Sequence, residues 1–223
     1  MGKIYLIRHG QACLGAANYD QLSPLGVKQS FRLGEYFKSC GIEFDAAYSG
    51  ELARQQDTLK HLLDGVKAPK MRCHITSSLN EFKSHAVIRC AHQGPIPNPS
   101  SPEGYQDFFR LLRLGLLVWM SGQSCPEGGL PFATFQENIV QTLKAVQHNH
   151  SGSVLIVSSG GPISTLLAYL LGMNDHGRIE LNLRLRNSSV SELNFNSSAV
   201  SVISFNTLCH LAQPEYSDWL TYA

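Results

Sequence analysis

The sequence has little that would assign it to a class at first sight. Its six cysteines are scattered and include no C-x-x-C pair, so neither a cysteine zinc site nor a dithiol redox centre is indicated. The formal net charge is only +1, from 18 Lys and Arg against 17 Asp and Glu, so no overall field attracts nucleic acid or anionic lipid. Any anion site must therefore be built locally.

Long hydrophobic runs are also missing. The most apolar stretch, residues 111–120, is interrupted by Arg113 and is shorter than the ~20 residues that span a bilayer. The N-terminal segment enters a short apolar run and meets Arg8, with neither a long hydrophobic region nor a small-residue cleavage site. We therefore expect a cytoplasmic protein with reduced thiols, no membrane association and no nucleic-acid partner.

What the chain does have is enough apolar surface for one core. Hydrophobic residues make up 43% of its 223 residues and charged residues 16%, a balance typical of a folded protein. One domain covering residues 1–223 is the expectation for this length. Residues 83–131 are rich in proline, serine and glycine around one apolar helix near 105–120, and we predict an inserted cap there.

The remaining apolar patterns alternate between strand and helix. Strands are predicted at 4–7, 44–48, 72–76 and 154–157, helices at 24–40, after Ser49, at 132–146 and at 163–171, and a hairpin over 190–205. The sum is an α/β three-layer sandwich with a mainly parallel, doubly wound sheet, an antiparallel edge and an inserted helical cap. Ligands of such sheets bind beyond the carboxyl ends of the strands.

His9 lies at such a place, directly after the first predicted strand. An imidazole there could attack phosphorus as a nitrogen nucleophile and split phosphoryl transfer into two steps through a phosphohistidine. The guanidinium of Arg8 could clamp the phosphoryl oxygens. Taken alone, the tripeptide 8–10 is more often merely a polar strand end, so the rest of the chain must decide.

Five motifs, in this order and including the tripeptide 8–10, resemble the histidine phosphatase superfamily, whose members are also described as phosphoglycerate mutase-like. They are residues 6–12 (LIRHGQA), 22–26 (LSPLG), 48–58 (YSGELARQQDT), 79–82 (LNEF) and 154–163 (VLIVSSGGPI). The motifs cover the predicted core from end to end but not the cap. The resemblance implies the fold of that superfamily and a phosphoryl-binding site beside His9.

The resemblance assigns roles residue by residue. It makes His9 the phosphorylated nucleophile, Arg8 and Arg54 phosphate ligands, and Glu81 the proton donor to the leaving oxygen. Arg54 is expected about a turn and a half into a helix that Ser49 caps, from where its planar fork could reach the cleft. Glu81 has apolar neighbours, and burial would raise its pKa toward that of a general acid. The alternatives are a solvated surface arginine and a solvated loop glutamate.

The sequence departs from the superfamily at Ser159, where the second catalytic histidine would stand. In the family that histidine donates to the transferring phosphoryl group, so its loss removes a stabiliser typically worth ~10²–10³ in rate. Ser159 can still donate one hydrogen bond, and Gly160 opens a helix whose N-terminal amides favour anions. Both are predicted phosphate ligands. The chain resembles a variant branch that shares residues 8–12 and Tyr19-Asp20 and carries serine at this place.

Three functions remain open. The first is a phosphomonoester hydrolase of reduced efficiency that acts through phospho-His9 on a small organophosphate, in preference to a phosphoprotein, with no metal and no organic cofactor. The second is a catalytically silent relative that binds a phosphorylated ligand or protein, and Ser159 motivates it. The third is a phosphoglycerate mutase-type phosphotransferase. It ranks last because such mutases keep both histidines and a particular cap, and fold resemblance alone carries no function.

Overall fold

The computed structural model describes residues 1–13 and 20–222, so Tyr19 of the variant motif lies outside the described residues. The strands are β1 Gly2–Arg8, β2 Ala46–Ser49, β3 Cys73–Ile75, β4 Ser153–Ser158, β5 Val190–Phe195 and β6 Val200–Val202. They form one sheet in the order β3-β2-β4-β1-β5-β6. Strands β1 to β4 are parallel, whereas β5 pairs antiparallel with β1 and with β6. The mainly parallel sheet with an antiparallel edge is therefore confirmed.

Helices flank this sheet. They are α1 Pro24–Ser39, α2 Ala53–Val66, α3 Ser84–Arg89, α4 Pro102–Met120, α5 Phe132–Asn149, α6 Gly160–Leu170 and α7 Asp175–Arg184, with short 3-10 turns at Ser77–Leu79, Cys209–Leu211 and Pro214–Trp219. Of the helices in the described ranges, none combines the length and the apolar composition needed to cross a bilayer.

Alternate residues of β1 point to opposite faces of the sheet, as the strand period of two requires. Ile4 and Leu6 pack with α5 and α6 in one buried cluster, whereas Tyr5 and Ile7 pack with α1 and α2 in another. Both faces of the central strands are thus covered, which is what their continuous apolar sequence predicts. The three layers of the sandwich are helices, sheet and helices.

The start of α2 differs from the prediction. Ser49 does not cap this helix, because it is still the last residue of β2 and its hydroxyl donates to the carbonyl of the next residue. The helix begins at Ala53 after Leu52, whose side chain cannot cap it. The carboxylate of Asp20 accepts the Ala53 N–H at 2.9 Å instead. Arg54 is therefore the second helical residue and not a turn and a half into the helix.

Between β3 and α5 the chain forms α3 and α4. The sequence pattern predicts α4 but not α3, and it also does not predict α7. Helix α4 adds Leu112 and Trp119 to the larger core cluster. It crosses α3 so closely at Gly115 that a Cβ there would stand 2.2 Å from the Val87 carbonyl oxygen. The boundaries of a cap at about 83–131 stay a prediction.

Candidate active site

The carboxyl ends of β1 and β4 hold the predicted nucleophile in place. The two strands pair in parallel up to Arg8 and Ser158, and the backbone N–H of His9 then donates to the Ser158 carbonyl at 2.9 Å. The carbonyl of His9 accepts from the Ser188 N–H at 3.2 Å and from the Asn187 side-chain amide at 3.3 Å. Both backbone polar groups of His9 are therefore hydrogen-bonded, and the residue is only 3% exposed.

The hydrogen bonds of the His9 ring define its tautomer. Nδ1 lies 2.8 Å from the carbonyl oxygen of Gly10, which can only accept, so Nδ1 carries the hydrogen. Nε2 therefore has a lone pair, and Nε of Arg54 donates to it at 3.3 Å. Burial, followed by the charges of Arg8 and Arg54, holds the pKa of His9 well below its usual value of 6.5. The imidazole is thus neutral at pH 7 and Nε2 is its basic atom.

Arg54 is positioned by Asp20, a residue of the variant motif whose role the sequence does not predict. Nη1 of Arg54 lies 2.7 Å from Oδ1 of Asp20, and the same carboxylate accepts the Ala53 N–H at the start of α2. Asp20 therefore fixes both the helix and the guanidinium. A sequence signal existed, because α2 has Leu52 at its N-cap and must find its acceptor elsewhere.

Arg8 and Glu81 are predicted site residues like His9 and Arg54. Arg8 is 6% exposed and its Nη1 donates to the Leu185 carbonyl. The Glu81 carboxylate accepts from the backbone N–H of Gly161 at 3.0 Å and from that of Phe82 at 3.1 Å. Burial raises the pKa of Glu81, and these N–H groups and the two guanidiniums only partly oppose it. The approach needs glycine at 161, because a Cβ there would stand 2.1 Å from Oε1 of Glu81.

Ser159 and Gly160 follow directly after β4, and both are buried. Ser159 is fully buried, and its hydroxyl accepts from Nε2 of Gln55 at 2.8 Å. The same amide donates to the Leu79 carbonyl at 2.9 Å, so Gln55 connects α2, α6 and the segment that carries Glu81. A Cβ at Gly160 would stand 2.5 Å from Oδ1 of Asn182, a further residue that sequence reasoning did not identify. The predicted contacts of Ser159 and Gly160 with phosphate stay predictions.

One cavity of about 990 Å³ reaches the predicted nucleophile His9. Its inner end is lined by Arg8, His9, Arg54 and Glu81, so the structure brings these four predicted residues together. Asn182 also lines it, whereas Ser159 and Gly160 are not among the described residues of its wall. Within residues 1–13 and 20–222, no group of three or more His, Cys, Asp or Glu side chains could hold a metal ion.

The fold and the site define an α/β protein with a histidine and two arginines at the carboxyl edge of a doubly wound sheet. Residues 4–89 and 115–208 match the histidine phosphatase superfamily (branch 1), and the chain belongs to this superfamily. A 2,3-bisphosphoglycerate-dependent phosphoglycerate mutase of Rhizobium etli (strain CIAT 652) is 35% identical over 86 residues. That match covers 36% of this chain and 41% of the mutase, less than half of either.

Two solved structures are similar over nearly the whole chain. Phosphoserine phosphatase from Entamoeba histolytica in complex with 3-phosphoglyceric acid has a TM-score of 0.65 and 22% identity, and covers 95% of this chain and 100% of that chain. The alpha-ribazole phosphatase from Shigella flexneri has a TM-score of 0.65 and 21% identity, and covers 92% of this chain and 96% of that chain. At these identities the likeness shows the fold.

Proposed function

We propose that this protein is a phosphomonoesterase that works through a phosphohistidine at His9. The observation that carries the proposal is the state of this ring, which lines the cavity: Nδ1–H donates to the Gly10 carbonyl, and Nε2 keeps a lone pair that accepts from Nε of Arg54 at 3.3 Å. A phosphoryl group bound by Arg54 would replace that contact and bring phosphorus to Nε2. A neutral imidazole with its basic nitrogen toward the substrate is what nucleophilic attack requires. Two guanidiniums beside it supply the charge that a phosphoryl group needs.

In the first step, Arg8 and Arg54 hold the phosphoryl oxygens while Nε2 of His9 bonds to phosphorus and the ester P–O bond breaks. The leaving oxygen takes the proton of Glu81. Burial raises the pKa of Glu81, so its carboxyl group stays protonated at higher pH than an ordinary carboxyl group does. In the second step, the Glu81 carboxylate takes a proton from water. The water oxygen bonds to phosphorus, Nε2 leaves, and phosphate is released.

The second candidate is a silent binder of phosphorylated ligands, and Ser159 motivates it. The sequence resemblance assigns this position to the superfamily's second catalytic imidazole, and the residue there is a buried serine whose hydroxyl accepts from Gln55. Loss of such a donor typically costs ~10²–10³ in rate, which supports a slow enzyme as well as a silent one.

Hydrolysis assays on a panel of phosphate monoesters separate the two candidates. We expect wild-type turnover that falls at least ~10³-fold in His9→Ala, because the nucleophile is removed. His148→Ala, the same change at an exposed histidine of α5, should keep wild-type activity. Orthovanadate binding without any turnover would favour the silent binder, and turnover that survives His9→Ala would contradict the proposal.

A further inference from the structure

The cavity is much larger than its reactive end requires. Its volume of about 990 Å³ is at the upper end of the ~300–1,000 Å³ that holds drug-sized ligands. A phosphoryl group bound by His9, Arg8 and Arg54 would occupy only the inner part. A three-carbon phosphorylated acid would leave most of the remaining space to water, so the size indicates a larger leaving group.

The outer wall is mainly apolar and aromatic, although Ser84, His85, Asn98 and Ser100 also belong to it. Its apolar side chains come from the segment after Glu81, from one face of α4 and from α7, and they include Phe82, Tyr105, Phe108, Phe109, Leu112 and Leu183. Tyr105 is 41% exposed although it faces a cavity. Burial of such surface by an apolar ligand is favourable in proportion to the area removed from water.

This wall is formed in advance of any ligand. The Phe82 ring packs edge-on against Trp119 with a centroid distance of 5.5 Å. The Phe109 ring contacts Tyr105 at 4.6 Å and Phe108 at 5.5 Å. Rings that hold one another at these distances keep the pocket open and its aromatic faces oriented. A rigid pocket also reduces the entropy that binding costs.

The outer wall offers little counter-charge. Of the described lining residues, Lys83 is the only Lys or Arg besides Arg8 and Arg54, and Lys83 is exposed. His85 packs edge-on against Phe108 at 5.6 Å. A second carboxylate placed against Phe108 and Leu112 would lose its hydration with neither Lys nor Arg among the described residues of that part of the wall, which is costly. The leaving group that fits is therefore uncharged as well as large.

We infer that the substrates are phosphate monoesters of bulky, uncharged aromatic or other apolar alcohols, and not compact phosphorylated acids. The inference rests on the proposed function for the reaction at His9. It concerns the leaving-group end of the same cavity, which no motif in the sequence identifies. The substrate remains a small molecule, but one that fills the aromatic outer pocket.

Phosphonates test this without any turnover, because their P–C bond cannot be hydrolysed by this route. Calorimetry on the full chain would compare methylphosphonate, phosphonoacetate and 1-naphthylmethylphosphonate. We expect the naphthyl compound to bind at least ~10-fold more tightly than methylphosphonate, because it buries a large apolar area. Phosphonoacetate should bind no more tightly than methylphosphonate. Inorganic phosphate should displace all three.

Tyr105→Ala should weaken the binding of the naphthyl compound by about three- to ten-fold, because one aromatic contact is lost. The affinity for methylphosphonate should not change. Tyr105→Phe keeps the ring and should bind as the wild type does. Tyr169→Ala removes a similarly exposed tyrosine, 48% against 41%, from α6 outside the cavity wall and should have no effect.

The outcomes separate this inference from the proposed function. Equal affinity for the three phosphonates, tighter binding of phosphonoacetate, or naphthyl binding that phosphate does not displace would overturn the substrate class. Tight, displaceable naphthyl binding together with no hydrolysis of 1-naphthyl phosphate would support the substrate class and overturn the proposed hydrolase.

Discussion

At the scale of single residues, the site depends on a carboxylate that is distant in sequence from the groups it supports. Asp20 lies 2.7 Å from Nη1 of Arg54 and also accepts the first N–H of α2. Its side chain is 35% exposed, so solvent screens the ion pair and its contribution to stability is small. The value of Asp20 lies in orientation, because small displacements of a positioned group are costly in catalysis.

Asp20→Asn should therefore lower kcat about ten-fold or more, because Arg54 is no longer held against the transferring group. The melting temperature should change little. Asp107→Asn breaks the exposed Arg110–Asp107 pair on α4 and is the matched control, with no expected effect on kcat. An unchanged kcat in Asp20→Asn would show that Arg54 does not need this partner.

We expect Glu81 to determine the alkaline side of the pH profile. The proposed first step needs neutral His9, whose pKa is lowered, and protonated Glu81, whose pKa is raised by burial. The value of kcat/KM should therefore fall at acid pH as His9 gains a proton and fall again at higher pH as Glu81 loses one.

Glu81→Gln cannot ionise, so the alkaline limb should disappear while kcat/KM for alkyl phosphates falls by ~10²–10⁴. The loss in kcat/KM should be smaller for 4-nitrophenyl phosphate, whose leaving group needs no proton. Profiles of kcat/KM against pH for both substrates provide the measurement. An alkaline limb that persists in Glu81→Gln would assign the general acid to another group.

At the scale of elements, local signals predict what local contacts determine. Helix α1 begins at Pro24 as predicted because Ser23 caps it, with its hydroxyl accepting the Gly26 N–H at 3.0 Å. The predicted start of α2 is wrong because the N–H of Ala53 donates to Asp20, which is 33 residues away in the sequence. Helix α7 has no apolar stripe in its sequence from which it could be predicted. One of the side chains it buries is Arg178, whose Cζ lies 4.7 Å from the centroid of the Phe132 ring.

The hydrogen bond from Gln55 of α2 to Ser159, which precedes α6, changes one expectation from the sequence. Restoration of the family's imidazole by Ser159→His should, from the sequence alone, raise turnover. In the structure Ser159 is fully buried and bonded to Gln55, so the single change overpacks the site and should cost about 1–3 kcal/mol of stability. Ser159→His with Gln55→Ala makes room, and kcat/KM should rise about ten-fold or more over Gln55→Ala alone.

The gain should vanish when His9→Ala is added, because the new imidazole acts on the phospho-His9 pathway. Steady-state kinetics on the folded variants, with thermal melts to confirm folding, provide the test. A stable double variant with no gain would mean that position 159 does not face the transferring phosphoryl group.

At the scale of the whole molecule, the parallel pairing of β1 with β4 explains why residues 150 positions apart meet. Their carboxyl ends lie at one edge of the sheet, so the strand pattern and the motifs together predict the inner end of the site. The outer end could not be predicted in this way. Most of its aromatic side chains come from α4, and residues 96–100 also line it. Neither segment matches a motif, and the rings of α4 face the cavity only through tertiary packing.

The central claim, that His9 becomes phosphorylated, is tested most directly by trapping the intermediate. The protein would be mixed briefly with 4-nitrophenyl phosphate, quenched under neutral or alkaline conditions, and digested for mass spectrometry. We predict a phosphoryl group on the peptide that contains His9, lost in acid, stable in base, absent in His9→Ala and present in His148→Ala. Turnover of the same substrate with no adduct on His9, or with the adduct on another residue, would contradict the account.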